Sequence, residues 1–127
     1  MQGLILFAHG ARDPRWAEPF ERVAARVREL RPGQPVSLAF LEFMSPDLPA
    51  AGAALAGAGC TAVEVLPLFL GAGGHVRKDL PAQVEALRAA FPAVQWTLRA
   101  AAGESPVLVD ALARIAVEPA PPAPGAA

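Results

Sequence analysis

Short apolar runs alternate with longer amphipathic ones along most of this chain, and a polypeptide built from βαβ units with a parallel sheet shows that alternation. Residues 3–8 form the first run, of strand length. Across 15–30, Phe20, Val23, Ala24, Val27 and Leu30 recur at helical spacing with Glu and Arg between them. Pro19 falls near the first turn, where proline is tolerated, and Arg31-Pro32-Gly33 stops the helix. Residues 36–41 read as a second strand, and Asp47 is the N-cap candidate of an alanine-rich helix ending at Gly57-Ala58-Gly59. The run 63–70 is apolar at nearly every position, as a central strand covered on both faces should be. Asp79 is placed as the cap of a third helix reaching about Ala90, with Phe91-Pro92 as its stop. A fourth strand at 94–98 and a last helix at 106–115 complete the pattern. The expectation is an α/β domain at 1–117: a small doubly wound, mainly parallel sheet of four to five strands flanked by helices, flavodoxin-like in topology. The Pro/Ala-rich tail at 118–127 has nothing to bury and is expected to be disordered.

Composition excludes several classes. The longest uncharged stretch, 48–63, is interrupted by Pro49, Gly52, Gly57 and Gly59, too short and broken for a membrane helix. The N-terminus has no basic start and no cleavage-like site, so a cytoplasmic protein is expected. Net charge is −1, with basic and acidic residues spread along the chain and no basic stripe for nucleic acid. Cys60 is the only cysteine, which rules out an internal disulfide and a CxxC metal site.

The chain has 2 histidines, and both follow predicted strands. His9 ends the run 3–8, and His75 follows 63–70 after Gly71-Ala72-Gly73-Gly74. Ligands of open α/β sheets bind at the carboxyl ends of strands. Imidazole is both the commonest metal ligand and the side chain that titrates nearest neutral pH. Glu42 leaves the second strand at the same edge, with Ser45 close behind. Arg12, Arg77 and Lys78 bring positive charge, and the glycine-rich loop can present backbone N–H groups to an anion. Nucleotide and hydrolase motifs fail on spacing. Val76 stands where a Walker A loop starting at Gly71 needs its second glycine and where GxGxxG needs its third, and neither GxSxG nor HExxH occurs.

Three motifs carry a family resemblance: His9-Gly10-Ala11-Arg12-Asp13-Pro14; Ala39-Phe40-Leu41-Glu42-Phe43 with Pro46; and Leu66-Pro67-Leu68-Phe69-Leu70 through Gly74-His75-Val76 and Asp79-Leu80-Pro81. In order and spacing they resemble the short-form sirohydrochlorin chelatases, the CbiX-like class II chelatases. The resemblance implies ATP-independent insertion of a divalent metal, Co²⁺ or Fe²⁺ with Ni²⁺ left open, into sirohydrochlorin, for cobalamin or siroheme synthesis. The metal is then substrate, and no permanently bound cofactor is expected. It also implies a homodimer with the site in a cleft and no nucleic-acid or membrane partner. His9 is expected to hold metal and accept a proton, His75 to be the second ligand, and Glu42 a further ligand or proton relay. Leu70, Gly71, Ala72, Gly73, Gly74 and His75 of the loop, with Ser45 and Arg12, are expected to orient the polycarboxylate macrocycle. Asp79 either orients the His75 imidazole or caps the helix. Two departures matter: Ala11 replaces the usual serine and removes a hydroxyl beside His9, and Ala8 stands where glycine is common, a small change.

The chemistry suits these groups. Insertion requires the metal to shed water and pyrrole N–H protons to leave, and imidazole nitrogen suits borderline ions such as cobalt and iron. Three protein ligands leave coordination positions open, as delivery requires; a closed site would retain its metal. A carrier that binds metal or tetrapyrrole without inserting is the alternative function, and a flavodoxin-like anion-binding domain using the glycine loop is a third.

Overall fold

A computed structural model describes residues 1–71, 73–119 and 122–123, leaving aside the side chain of His75. The apolar runs become four strands: β1 (Gln2–Ala8), β2 (Val36–Phe40), β3 (Ala62–Pro67) and β4 (Gln95–Leu98). They pair in parallel in the order β2-β1-β3-β4. Leu6 lies opposite Leu38 on one side and Leu66 on the other. This is the doubly wound arrangement expected, with four strands among the described residues. Every strand therefore delivers its carboxyl end to one edge.

Among the described residues four α-helices connect and follow the strands: α1 (Glu18–Leu30), α2 (Leu48–Gly57), α3 (Gly74–Ala90) and α4 (Pro106–Val117). Alternation along the strands sends Ile5, Phe7, Val63, Val65 and Trp96 to one face, where Leu48 and Leu55 of α2 and Leu80, Val84 and Leu87 of α3 cover them. Ala8 and Phe40 point the other way, onto Trp16 and Ala17 just before α1 and Phe20 within it. Asp47 caps α2 as expected, its carboxylate accepting from the Ala50 N–H at 2.9 Å, and Pro49 sits in the first turn, where no intrahelical donor is lost.

Three boundaries differ from the sequence reading. The first helix is two pieces: a 3-10 turn, Pro14–Ala17, capped by the Asp13 side chain, and then α1. The third strand ends at Pro67 rather than at 70, and its burial alternates, with Glu64 exposed and Leu66 half-buried. It is therefore covered on one face only, not on both. The third helix starts at Gly74 with Gly73 as its N-cap, so Asp79 lies inside the helix and does not cap it. Most of the 118–127 tail lies outside the described residues.

Gly52 shows how closely α2 is pressed to the next layer. A Cβ there would stand 2.6 Å from Leu87 Cδ2 and 3.2 Å from the Trp96 ring. Gly52→Val is expected to destabilise the fold by about 1–3 kcal/mol, read from the urea midpoint. An unchanged midpoint would show that α2 and α3 can separate at little cost.

Candidate functional site at the carboxyl edge of the sheet

Backbone pairing continues past the end of β1 and ties it to the segments leaving both neighbours. The Leu41 N–H donates to the Ala8 carbonyl at 2.9 Å, Glu42 N–H to His9 at 3.0 Å, and Leu68 N–H to Phe7 at 2.8 Å. His9 is thus held by the strand itself, while its ring is half-buried. That ring stacks on Phe69, centroids 4.1 Å apart and planes inclined 27°, and Phe69 meets Phe7 edge-on at 5.9 Å. A buried aromatic floor therefore fixes the plane of the imidazole.

Gly10 follows at φ +90°, and a Cβ there would lie 1.8 Å from the Glu42 carbonyl oxygen. Only glycine lets the two segments touch. Met44 N–H donates back to that carbonyl at 2.8 Å, closing a three-residue turn around Phe43 at φ 64°. A left-handed phenylalanine is strained, and such strain gathers at functional loops. The Phe43 ring is 57% exposed, and the Arg12 guanidinium sits over it at 4.9 Å. Desolvation is slight there, so this cation–π contact is worth about 0.5–1 kcal/mol.

The other side of the edge is a cleft of about 440 Å³ between the end of β3, the first turns of α3 and the segment after β4. Phe69 forms part of its wall, so cleft and imidazole meet at one ring. Leu70, Gly71, Arg77, Arg99 and Glu104 line its mouth. A Cβ at Gly71, which lines the cleft, or at Gly73 or Gly74 where α3 begins, would meet nothing within 4 Å, so the backbone leading into α3 is unobstructed.

The structure brings His9, Glu42 and Arg12 to one edge, with Glu42 exposed. His75 lies in the first turn of α3, with half-buried Asp79 one turn further on the same helix face. The His75 side chain and residue Ala72 lie outside what the structure describes. Ser45 sits apart from the glycine loop. It lines a shallow groove of about 340 Å³ between α1 and β2, with Glu21, Arg28 and Phe40. Among the described residues no three His, Cys, Asp or Glu side chains converge on one point. Sequence reasoning missed Phe69 and Phe43 as site residues. Both stand inside quoted motifs, Phe69 as part of an apolar strand run with no site role given to it.

With this geometry in place, comparison with known proteins decides the family. The family model described as CbiX matches residues 3–118. The chain belongs to the CbiX family. A CbiX protein from Marinobacter aquaeolei VT8, described in connection with cobalamin (vitamin B12) biosynthesis, superposes with a TM-score of 0.81 at 35% identity, covering 91% of this chain and 94% of that one. SirB from Bacillus subtilis with Fe³⁺ shares the fold at a TM-score of 0.77 and 20% identity, over 89% of this chain and 45% of SirB. The sirohydrochlorin cobaltochelatase of Sulfurisphaera tokodaii is 31% identical over 88 residues, which is 69% of this chain and 72% of that protein. The one from Methanococcus aeolicus is 30% identical over 81 residues, 64% of this chain, and the match spans only 57% of its length.

Two expectations follow for this CbiX chain. Gly10→Ala should cost about 1–3 kcal/mol of stability through the forced φ alone, read by thermal unfolding, and should loosen the contact between the His9 and Glu42 segments. Asp13 accepts hydrogen bonds from the Arg15 side chain and N–H, which hold its carboxyl below the usual carboxylate range. A depressed folded value means that the cap is fully formed above about pH 4 and is lost as pH falls through that lower value. The Arg15 amide shift should follow this titration and lose it in Asp13→Ala.

Proposed function

We propose that this chain is an ATP-independent chelatase that inserts Co²⁺ or Fe²⁺ into sirohydrochlorin or a closely related tetrapyrrole, serving cobalamin or siroheme synthesis. The observation that carries the reading is His9: a strand-anchored imidazole stacked on Phe69, itself a wall residue of an open cleft, in a family with relatives named sirohydrochlorin cobaltochelatase.

Insertion needs a base held at fixed orientation and open to a large flat ligand. Stacking removes the rotational freedom of the His9 ring while leaving it half-exposed, so one imidazole nitrogen can hold the incoming ion or take a pyrrole proton. Glu42, tied to His9 through the backbone, serves as proton relay or additional ligand, and His75 as second ligand. The glycine rim leaves room for the macrocycle. Arg12 and Arg77, both exposed, pair with its carboxylates. The exposed Phe43 ring offers an apolar face beside Arg12. Metal is substrate throughout, and an incompletely surrounded ion is free to leave for the macrocycle.

An anaerobic absorbance assay with sirohydrochlorin and Co²⁺ or Fe²⁺, against a protein-free control, tests the reading. Insertion above the control, reduced about 100-fold or more in His9→Ala, is expected. Tight macrocycle binding with no faster insertion would overturn it in favour of the carrier, with Ala11→Ser as the first reversion to try. An undiminished rate in His9→Ala would remove His9 from the mechanism.

A further inference from the structure

Phe43 is held where its side chain gains little from folding. Its ring is 57% exposed, and its backbone sits at φ 64°, a region that bulky side chains leave to glycine and asparagine. A single exposed apolar residue is ordinary on a protein surface. One that also carries backbone strain is not, and such strain persists only where the surroundings enforce it. Here Gly10 lies against the Glu42 carbonyl, whose oxygen also accepts from the Met44 N–H at 2.8 Å, so the turn around Phe43 is closed from both sides. Met44 takes the inner side of the turn and packs, like Trp16 and Phe20, against the cluster of Ala8, Ala17 and Phe40. The thioether is therefore the anchor of this segment, and the larger aromatic is left outside.

Its neighbours say what the ring can meet. The Arg12 guanidinium lies over it at 4.9 Å from the centroid. A planar cation stacked on one face of an aromatic ring leaves the opposite face to another group. Glu42 immediately precedes the ring, and its N–H donates to the His9 carbonyl at 3.0 Å, so Phe43 is set one residue from the segment that carries the imidazole. Phe69, under that imidazole, is buried, as are Phe7, Phe40 and Trp96. Among the described residues Phe43 is the only exposed aromatic side chain.

Resting on the chelatase reading, we infer that Phe43 is a substrate-binding residue: the open face of its ring stacks on one pyrrole-derived ring of the macrocycle, and Arg12, held on the other face, pairs with a carboxylate arm that reaches past the ring edge. A tetrapyrrole is flat, conjugated and far wider than one benzene ring. A stack at its periphery sets the plane of the whole molecule and leaves the centre, where the metal enters, uncovered. Carboxylate contacts at the rim fix position but not tilt, because the arms that carry them rotate. The strain then has a use. Glycine or asparagine would sit in this turn more easily, but neither offers a π face.

The test is the dissociation constant of sirohydrochlorin for the full chain, from absorbance titration without metal, with thermal unfolding measured beside it. Phe43→Asn should bind at least about tenfold more weakly, the usual effect of removing an aromatic platform beneath a planar heterocycle. Its thermal midpoint should be unchanged or raised, because asparagine enters the left-handed region with less strain. Phe43→Leu, apolar and equally strained but without a π face, should weaken binding as well, whereas Phe43→Tyr should bind like wild type. Undiminished binding in Phe43→Asn would overturn the inference, as would wild-type affinity in Phe43→Leu. A midpoint that falls together with the affinity would make Phe43 a folding residue and overturn it equally. If wild type binds the macrocycle without inserting metal, the chelatase reading fails while the comparison among Phe43 variants still decides this inference. No binding of sirohydrochlorin by wild type would overturn both.

Discussion

The backbone of β1 is the constraint on which the site depends. It lies inside the sheet with a parallel neighbour on each side, and Ile5, Leu6, Phe7 and Ala8 are all buried. The carbonyls of Phe7, Ala8 and His9 then accept from Leu68, Leu41 and Glu42, so one strand fixes the start of two other segments. Parallel pairing makes this possible, since it brings three carboxyl ends to one edge. The position of His9 against Glu42 is consequently a matter of strand register rather than of loop side chains. A hydrogen-bonded ladder is stiffer than a loop, which suits a group that has to meet a flat ligand at one angle.

Much of this arrangement could be read from residue patterns. The strands at 3–8 and 36–41 and the Asp47 cap stand out because their signals are local: a short apolar run with breakers, or an acid three residues before a helical N–H. The errors have equally specific causes. Gly73-Gly74-His75-Val76 reads as loop, yet the helix begins within it, because Gly73 supplies an extended N-cap without any side-chain signature. Phe69 and Leu70 continue the apolar run of β3 but leave the ladder after Leu68, their hydrophobicity serving the floor under His9 and the cleft wall. Glu64 was the local hint that one face of β3 is open. The stack of His9 on Phe69 joins residues distant in sequence and has no one-dimensional signal. Ser45 falls on the α1 side for a related reason: the tight turn at Phe43 redirects the chain before it reaches that residue.

The two sides of the edge differ physically. Around Gly10, Glu42 and Phe43 the backbone is crowded, with a glycine and a left-handed phenylalanine locked by carbonyl contacts. Around Gly71, Gly73 and Gly74 it is open, bounded by an apolar wall and exposed cations. A crowded side that carries the imidazole thus lies beside a roomier side that opens on the cleft. On the proposed reading, the division suits the transfer of an ion into a large preformed ring.

The unobstructed glycines also bear on how such a protein changes over evolutionary time. Side chains can be added at Gly71, Gly73 or Gly74 without displacing another atom, so variation there is nearly neutral for folding while altering what the cleft meets first. Gly10 and Gly52 allow no such drift, since a Cβ at either collides with its neighbours. On the proposed reading, selectivity among ions or macrocycles can therefore diversify along the loop before α3 while the scaffold stays fixed.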